Sequence, residues 1–139
     1  MVILDTNVIS EVLRPAPDAA VGNWMEKQAV TELSTTAVCE AELLLGAALL
    51  PQGRRRKELE QSIVTILQRL FVGRVLPFDR AAANAYAEVA SARRRIGRPI
   101  STLDAQIAAI ARAHGAAVAT RNVADFSGCG IAVIDPWQG

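Results

Sequence analysis

Residues 1–14 read MVILDTNVISEVLR, a short apolar run that stops at Asp5 and passes within two residues into a helical pattern. A carboxylate at the end of a buried strand has two readings. The local one is helix capping, in which the Asp side chain accepts a hydrogen bond from a free backbone N–H of the first turn. The chemical one follows from fold geometry, because open α/β sheets place their ligands at the carboxyl ends of parallel strands. Asp5 alone does not separate the two; partners at the same edge would.

Working outward, apolar β-branched segments recur as ELSTTAV from residue 32, RVLPF from 74, AAVATR from 116 and IAVIDP from 131. Between them lie segments of helical period. AVGNWMEKQ places Val21, Trp24 and Met25 on one face, and ELEQSIVTILQRLF places Leu59, Ile63, Ile66, Leu67 and Leu70 on another. RAAANAYAEVASARRR and TLDAQIAAIARAH are helical too, the second ending at His114 with Gly115 as its stop. Strands alternating with helices, apolar without strict alternation, imply a parallel sheet covered on both faces. The expected fold is α/β: a single domain over residues 1–139, with about five parallel strands and helices on both faces.

Composition narrows the function classes. Hydrophobic residues make up 51% and aromatics 4% of the 139 residues, so the core is built from Ala, Val, Ile and Leu. That apolar content exceeds the need of one small core and predicts a homodimer through AELLLGAALL and RAAANAYAEVA. The longest apolar run, LLLGAALL, is too short to span a bilayer, and Asp5 interrupts the N-terminal one, so no membrane segment or secretory signal is expected and the cytoplasm is the expected location. Cys39 and Cys129 lack metal-ligand spacing and His114 is the single histidine, which argues against zinc and leaves the cysteines as small buried hydrophobes. Net charge is +1, so no global basic field attracts nucleic acid. The clusters RRRK (54–57) and RRRIGR (93–98) read either as solvated helix faces or as grips for a polyanion.

The carboxylates carry the chemistry. Glu40 and Glu42 follow the second strand in AVCEAELLLGAALL. Glu42 shares a face with Val38, Leu45 and Leu49, where a charge is costly unless partnered, whereas Glu40 falls on another face. Gly46, one turn on, suggests a close approach. Asp104 aligns with Ile107, Ala108 and Ala111, although Ser101 with Asp104 also matches the capping-box pattern. After the strand AVAT come Thr120, Asn122 and Asp125, the last two again a possible cap and box. Acids gathered at one sheet edge repel one another unless cations lie among them, and oxygen ligands suit Mg²⁺ or Mn²⁺. A D-x-D phosphotransferase motif, a strand-end lysine, GxGxxG, GxxxxGK[ST] and GxSxG are all missing.

The motifs LDTNVISE, AELLLG, LDAQIAAIA and ATRNVADF, in that order along essentially the whole chain, resemble the PIN-domain family, and within it the toxin ribonucleases of VapBC-type toxin–antitoxin pairs. LRPAP and the terminal DPW bring the sequence near the FitB-like subgroup. The resemblance implies that Asp5, Glu42 and Asp104 are the metal-site acids and that Asn7 and Thr120 line the pocket. Many relatives carry Asp where Asn122 stands, so Asp125 is the expected fourth catalytic acid, acting through water. The implied reaction is Mg²⁺- or Mn²⁺-dependent hydrolysis of RNA to 5′-phosphate and 3′-hydroxyl ends. The implied partners are a VapB/FitA-like antitoxin, whose C-terminal segment blocks the site, and operator DNA bound by a dimer of heterodimers. That segment is expected in an apolar groove lined by Trp24. The contrasting expectation is a silent module that serves mainly in the DNA-binding repressor complex.

Overall fold

Strand β1 (Val2–Leu4) divides its side chains between the two faces of the sheet, as strand geometry demands: Ile3 enters one core and Leu4 the other. The computed structural model describes residues 1–139. After β1 come α1 (Thr6–Val12), α2 (Ala19–Glu26), a 3₁₀ turn at Val30–Glu32, β2 (Leu33–Thr36), α3 (Ala37–Ala48) and α4 (Arg54–Arg69). They are followed by β3 (Val75–Leu76), α5 (Arg80–Arg95), α6 (Thr102–His114), β4 (Ala117–Ala119), α7 (Val123–Phe126) and β5 (Val133–Ile134). The five strands, all parallel, lie in the order β3-β2-β1-β4-β5, with Val2 opposite Leu33 on one side and Ala117 on the other. The order in which successive strands are added reverses beside β1, with β2 and β3 on one side and β4 and β5 on the other, and such a switch point is where parallel sheets open a crevice.

Both faces are covered. Ile3 and Val118 pack with Val89 of α5 and Ile107 and Ile110 of α6, while Leu4 and Ala119 pack with Val8, Val21 and Ile63 from α1, α2 and α4. Helix α3 spans the two layers, sending Cys39 into the first and Leu43 and Ala47 into the second. Caps fall where the residue types direct them. The Ser101 hydroxyl accepts from the Asp104 N–H at 3.3 Å, and Gly115 ends α6 in the left-handed region at φ 62°, where a Cβ is unfavourable. Both cysteines are buried and free. No helix is long and apolar enough to cross a membrane.

RRRK follows the solvated-helix reading: α4 starts at Arg54, so the four cations form its first turn. The adverse charge there is offset by Arg54–Glu58 and Arg56–Glu60 pairs one turn apart. Arg93 is not a surface grip: 4% exposed, it donates to the carbonyls of Arg98, Asp125 and Ser127 at 2.6–2.9 Å. The buried stripe of α3 is Cys39, Leu43 and Ala47, so Leu45 and Leu49, at 58% and 76% exposure, share Glu42's side without forming core. Nothing approaches within 4 Å of where a Cβ would stand on Gly46. Trp24 is core at 8% exposure, and the four-residue α7 carries no side-chain cap from Asn122.

Candidate metal centre

Asp5 leaves the C-terminal end of β1 as the N-cap of α1, and both readings of it hold at once. Its Oδ1 accepts from the Thr6 N–H at 2.8 Å, which is the cap. Its Oδ2 accepts from the Thr120 hydroxyl at 2.8 Å and the Asn7 amide at 3.1 Å. Thr120 is fully buried just beyond β4, and its oxygen also accepts from Asn7 Nδ2 and from the Asn122 N–H. The carboxylate is thus held from two adjacent strand ends, so its orientation is set before any ligand arrives.

Glu42 comes to Asp5 from α3. Its Oε1 accepts from the Thr6 hydroxyl at 2.8 Å, and one oxygen of each carboxylate, together with Cys39 Sγ, lies within 4.8 Å of the others. Asp104, on the first turn of α6, faces the same cleft of about 550 Å³, which Asn7, Asn122, Glu11, Arg14, Arg121 and Trp137 also help to line. Burial, more than anything else, pushes the Asp5 carboxyl above its ordinary range; the bonds from Thr120 and Thr6 oppose this, and the charges of Asp104 and Glu42 add to it. Burial likewise raises Asp104, with the Ser101 bond opposing and the charge of Asp125 adding. The Cys39 thiol is pushed up by burial and held as a thiol.

The structure therefore brings Asp5, Glu42, Asp104, Asn7, Thr120 and Asn122 to one place. Asp125 stands exposed on α7 outside the cleft lining and reaches the site only through its charge on Asp104. Thr6, Cys39, Glu11, Arg14, Arg121 and Trp137 were not singled out as site residues from the sequence. Cys39 had a signal, standing three residues before Glu42 and so on a neighbouring helix face. Arg121 and Trp137 had none, because a loop and the C-terminal segment meet only through the tertiary fold.

Carboxylate oxygens that repel one another at this spacing, half screened from water, are a donor set suited to a hard divalent cation such as Mg²⁺ or Mn²⁺. Residues 2–127 match the family model of the PIN domain. Toxin FitB of Neisseria gonorrhoeae is 40% identical over 138 residues, 99% of each chain. VapC ribonuclease Y4jK of Sinorhizobium fredii is likewise 40% identical over 99% of each chain. The crystal structure of FitAcB from Neisseria gonorrhoeae superposes over 100% of both chains with a TM-score of 0.93 at 40% identity. Sequence and backbone agree along nearly the full length, and the chain belongs to the PIN-domain family.

Proposed function

We propose that this protein is a divalent-metal-dependent endoribonuclease acting as the toxin of a type II toxin–antitoxin pair in the cytoplasm, cutting RNA to 5′-phosphate and 3′-hydroxyl ends. The observation that carries the reading is the approach of Asp5 and Glu42 to within 4.8 Å in a cleft that Asp104 also lines. The relatives named as a toxin and as a ribonuclease support it. Asp5, Glu42 and Asp104 would hold Mg²⁺ or Mn²⁺, which when bound offsets their repulsion, neutralises the phosphodiester and lowers the pKa of water at the site.

The chain's own residues do the rest. Thr120, Asn7 and the Thr6 N–H occupy lone pairs of Asp5 and fix its orientation, while the Thr6 hydroxyl orients Glu42. Asp104, which lines the same cleft from the first turn of α6, helps to hold the ion and to orient the attacking water. Asp125 tunes Asp104 through space. The test is to present partner-free protein with structured RNA and Mg²⁺ or Mn²⁺ and to map the ends. Cleavage lost in Asp5→Asn supports the reading.

The antitoxin fits a second cleft, of about 560 Å³, between α1, α3 and α4. Leu13, Leu43, Ala47, Leu59 and Ile63 contribute its apolar wall, and Thr6, Ser10, Arg14 and Glu42 belong to both clefts. An amphipathic antitoxin segment seated there would bring a basic side chain to Glu42 and Asp5. The exposed Leu44, Leu45 and Leu49 of α3 favour a homodimer, two of which with their antitoxins would form the operator-binding assembly. A silent repressor module is favoured by one observation, the neutral Asn122 lining the cleft where the outlying Asp125 does not; failure to cleave any RNA class would select it.

A further inference from the structure

The acidic cleft carries two arginines that are committed differently. Arg14 Nη1 lies 3.3 and 3.5 Å from the two oxygens of Glu11, itself buried, so its charge is already answered. Arg121 is exposed and enters none of the ion pairs. Its guanidinium carbon stands 5.1 Å from the centre of the Trp137 ring, and its backbone N–H donates to Asn7 Oδ1 at 3.2 Å. Asn7 in turn bonds Asp5, so the arginine is tied to the metal-site acid through one side chain. Trp137 is anchored as well: its backbone N–H donates to Asp135 Oδ1 at 2.9 Å, and its ring packs against the core containing Trp24 and Leu4.

A free cation beside three carboxylates, propped on a half-buried aromatic ring, has its stacked face satisfied and its N–H edges open. We infer that Arg121, positioned by Trp137, binds the RNA backbone phosphate next to the one that lies at Asp5, Glu42 and Asp104. This rests on the ribonuclease reading. The charge distribution leaves few other cations for that task. Net charge is +1, Arg54 and Arg56 pair with Glu58 and Glu60, Arg93 is buried against carbonyls, and Arg94, Arg95 and Arg98 do not line the cleft. A polyanion entering an acidic cleft needs a local positive contact, and Arg121 is placed to supply it.

The experiment is anisotropy of a labelled single-stranded RNA oligonucleotide in EDTA across a salt series, beside steady-state cleavage with Mn²⁺. Arg121→Ala should weaken metal-free binding about tenfold at low salt, with the slope of log affinity against log salt shallower by about 0.7, the share of one phosphate on a single strand. Arg121→Lys should keep the slope. In cleavage, Arg121→Ala should raise KM about tenfold with kcat changed less than about twofold, the signature of lost ground-state binding. Trp137→Leu should raise KM in the same direction and Trp137→Phe should restore it, as a positioning role requires. An unchanged slope and KM in Arg121→Ala overturn the inference, including the case in which only antitoxin affinity falls. Wild-type protein that binds RNA through Arg121 but cleaves none would sink the nuclease reading and leave the phosphate contact standing. Cleavage with Arg121-independent binding would do the reverse.

Discussion

Glu42→Gln should make the metal-free protein more stable, and the size of the gain follows from the site's geometry. One oxygen of Glu42 lies within 4.8 Å of one oxygen of Asp5. At that distance two unit charges repel by about 1 kcal/mol in water and about 3.5 kcal/mol at an effective dielectric of about 20. Glu42 is half-buried, which places the expected gain at about 1–3 kcal/mol near neutral pH. The glutamine amide oxygen still accepts the Thr6 hydroxyl, so no hydrogen bond need be lost. For a chain of this length, about 3 °C of Tm accompanies each kcal/mol, giving a rise of about 3–10 °C in EDTA. The sign with pH is defined. Asp5 is raised above its ordinary 3.8, so the stability linked to it is complete below that value and is lost as pH rises through the raised one. The difference between variant and wild type should therefore close near pH 4 and open toward neutrality. Saturating Mn²⁺ should invert the order, because wild type binds the ion better and gains more from it. Calorimetric scans over pH, with and without Mn²⁺, read all of this. A metal-free variant no more stable than wild type at pH 7 would refute the repulsion argument.

Asp104→Asn should abolish RNA cleavage while raising metal-free Tm, and Glu40→Gln should retain activity; equal inactivity of Glu40→Gln and Glu42→Gln would count against the assignment of Glu42. Thr120→Val removes a donor from Asp5 Oδ2, so the Asp5 carboxyl should rise further and Mn²⁺ binding measured by calorimetry should weaken most on the acid side of neutrality, where protons then compete better. Arg93→Met leaves the carbonyls of Arg98, Asp125 and Ser127 without their donor and should cost about 2–4 kcal/mol in urea unfolding. Leu45→Glu with Leu49→Glu should give a monomer by sedimentation if the exposed stripe of α3 is the homodimer surface.

Local signals made the fold readable. The strands are short, mostly apolar runs flanked by turn or cap residues, and the junctions after β1, β2 and β3 carry the capping residues Asp5, Thr36 and Asp79, whose preference is short-range. Asp5 and Glu42 could be named because parallel topology sends strand ends to one edge, whereas Asp104, which follows α5 and not a strand, was marked by its alignment with Ile107, Ala108 and Ala111 and by the LDAQIAAIA motif. The face of Glu42 was misread because helical period shows which residues share a side without showing which side is buried: α3 turns Leu45 and Leu49 outward and Cys39, Leu43 and Ala47 inward. Arg93 looked like part of a surface cluster because nothing local to RRRIGR reveals that the loop after α7 folds over it. The Arg121–Trp137 contact joins two segments with no shared periodicity, and only the assembled sheet edge brings them together.

The triplet Asp5-Thr6-Asn7 shows why the site and the sheet register are one determinant. Asp5 takes bonds from β1's own continuation and from Thr120 beyond β4, Thr6 donates to Glu42 beyond β2, and Asn7 links Asp5, Thr120 and Arg121. These contacts all depend on β1 lying between β2 and β4 with Val2 opposite Leu33 and Ala117. A slip of one residue along β1 would carry Asp5 about 3.3 Å and turn Ile3 and Leu4 to the wrong faces. Two separate cores resist that slip, because Ile3 is committed to the α5–α6 layer and Leu4 to the α1–α4 layer. The apolar residues that end the first strand therefore place the acid that follows them. A core change at Ile3 or Leu4 that leaves the protein folded should then disturb metal affinity before it disturbs secondary structure.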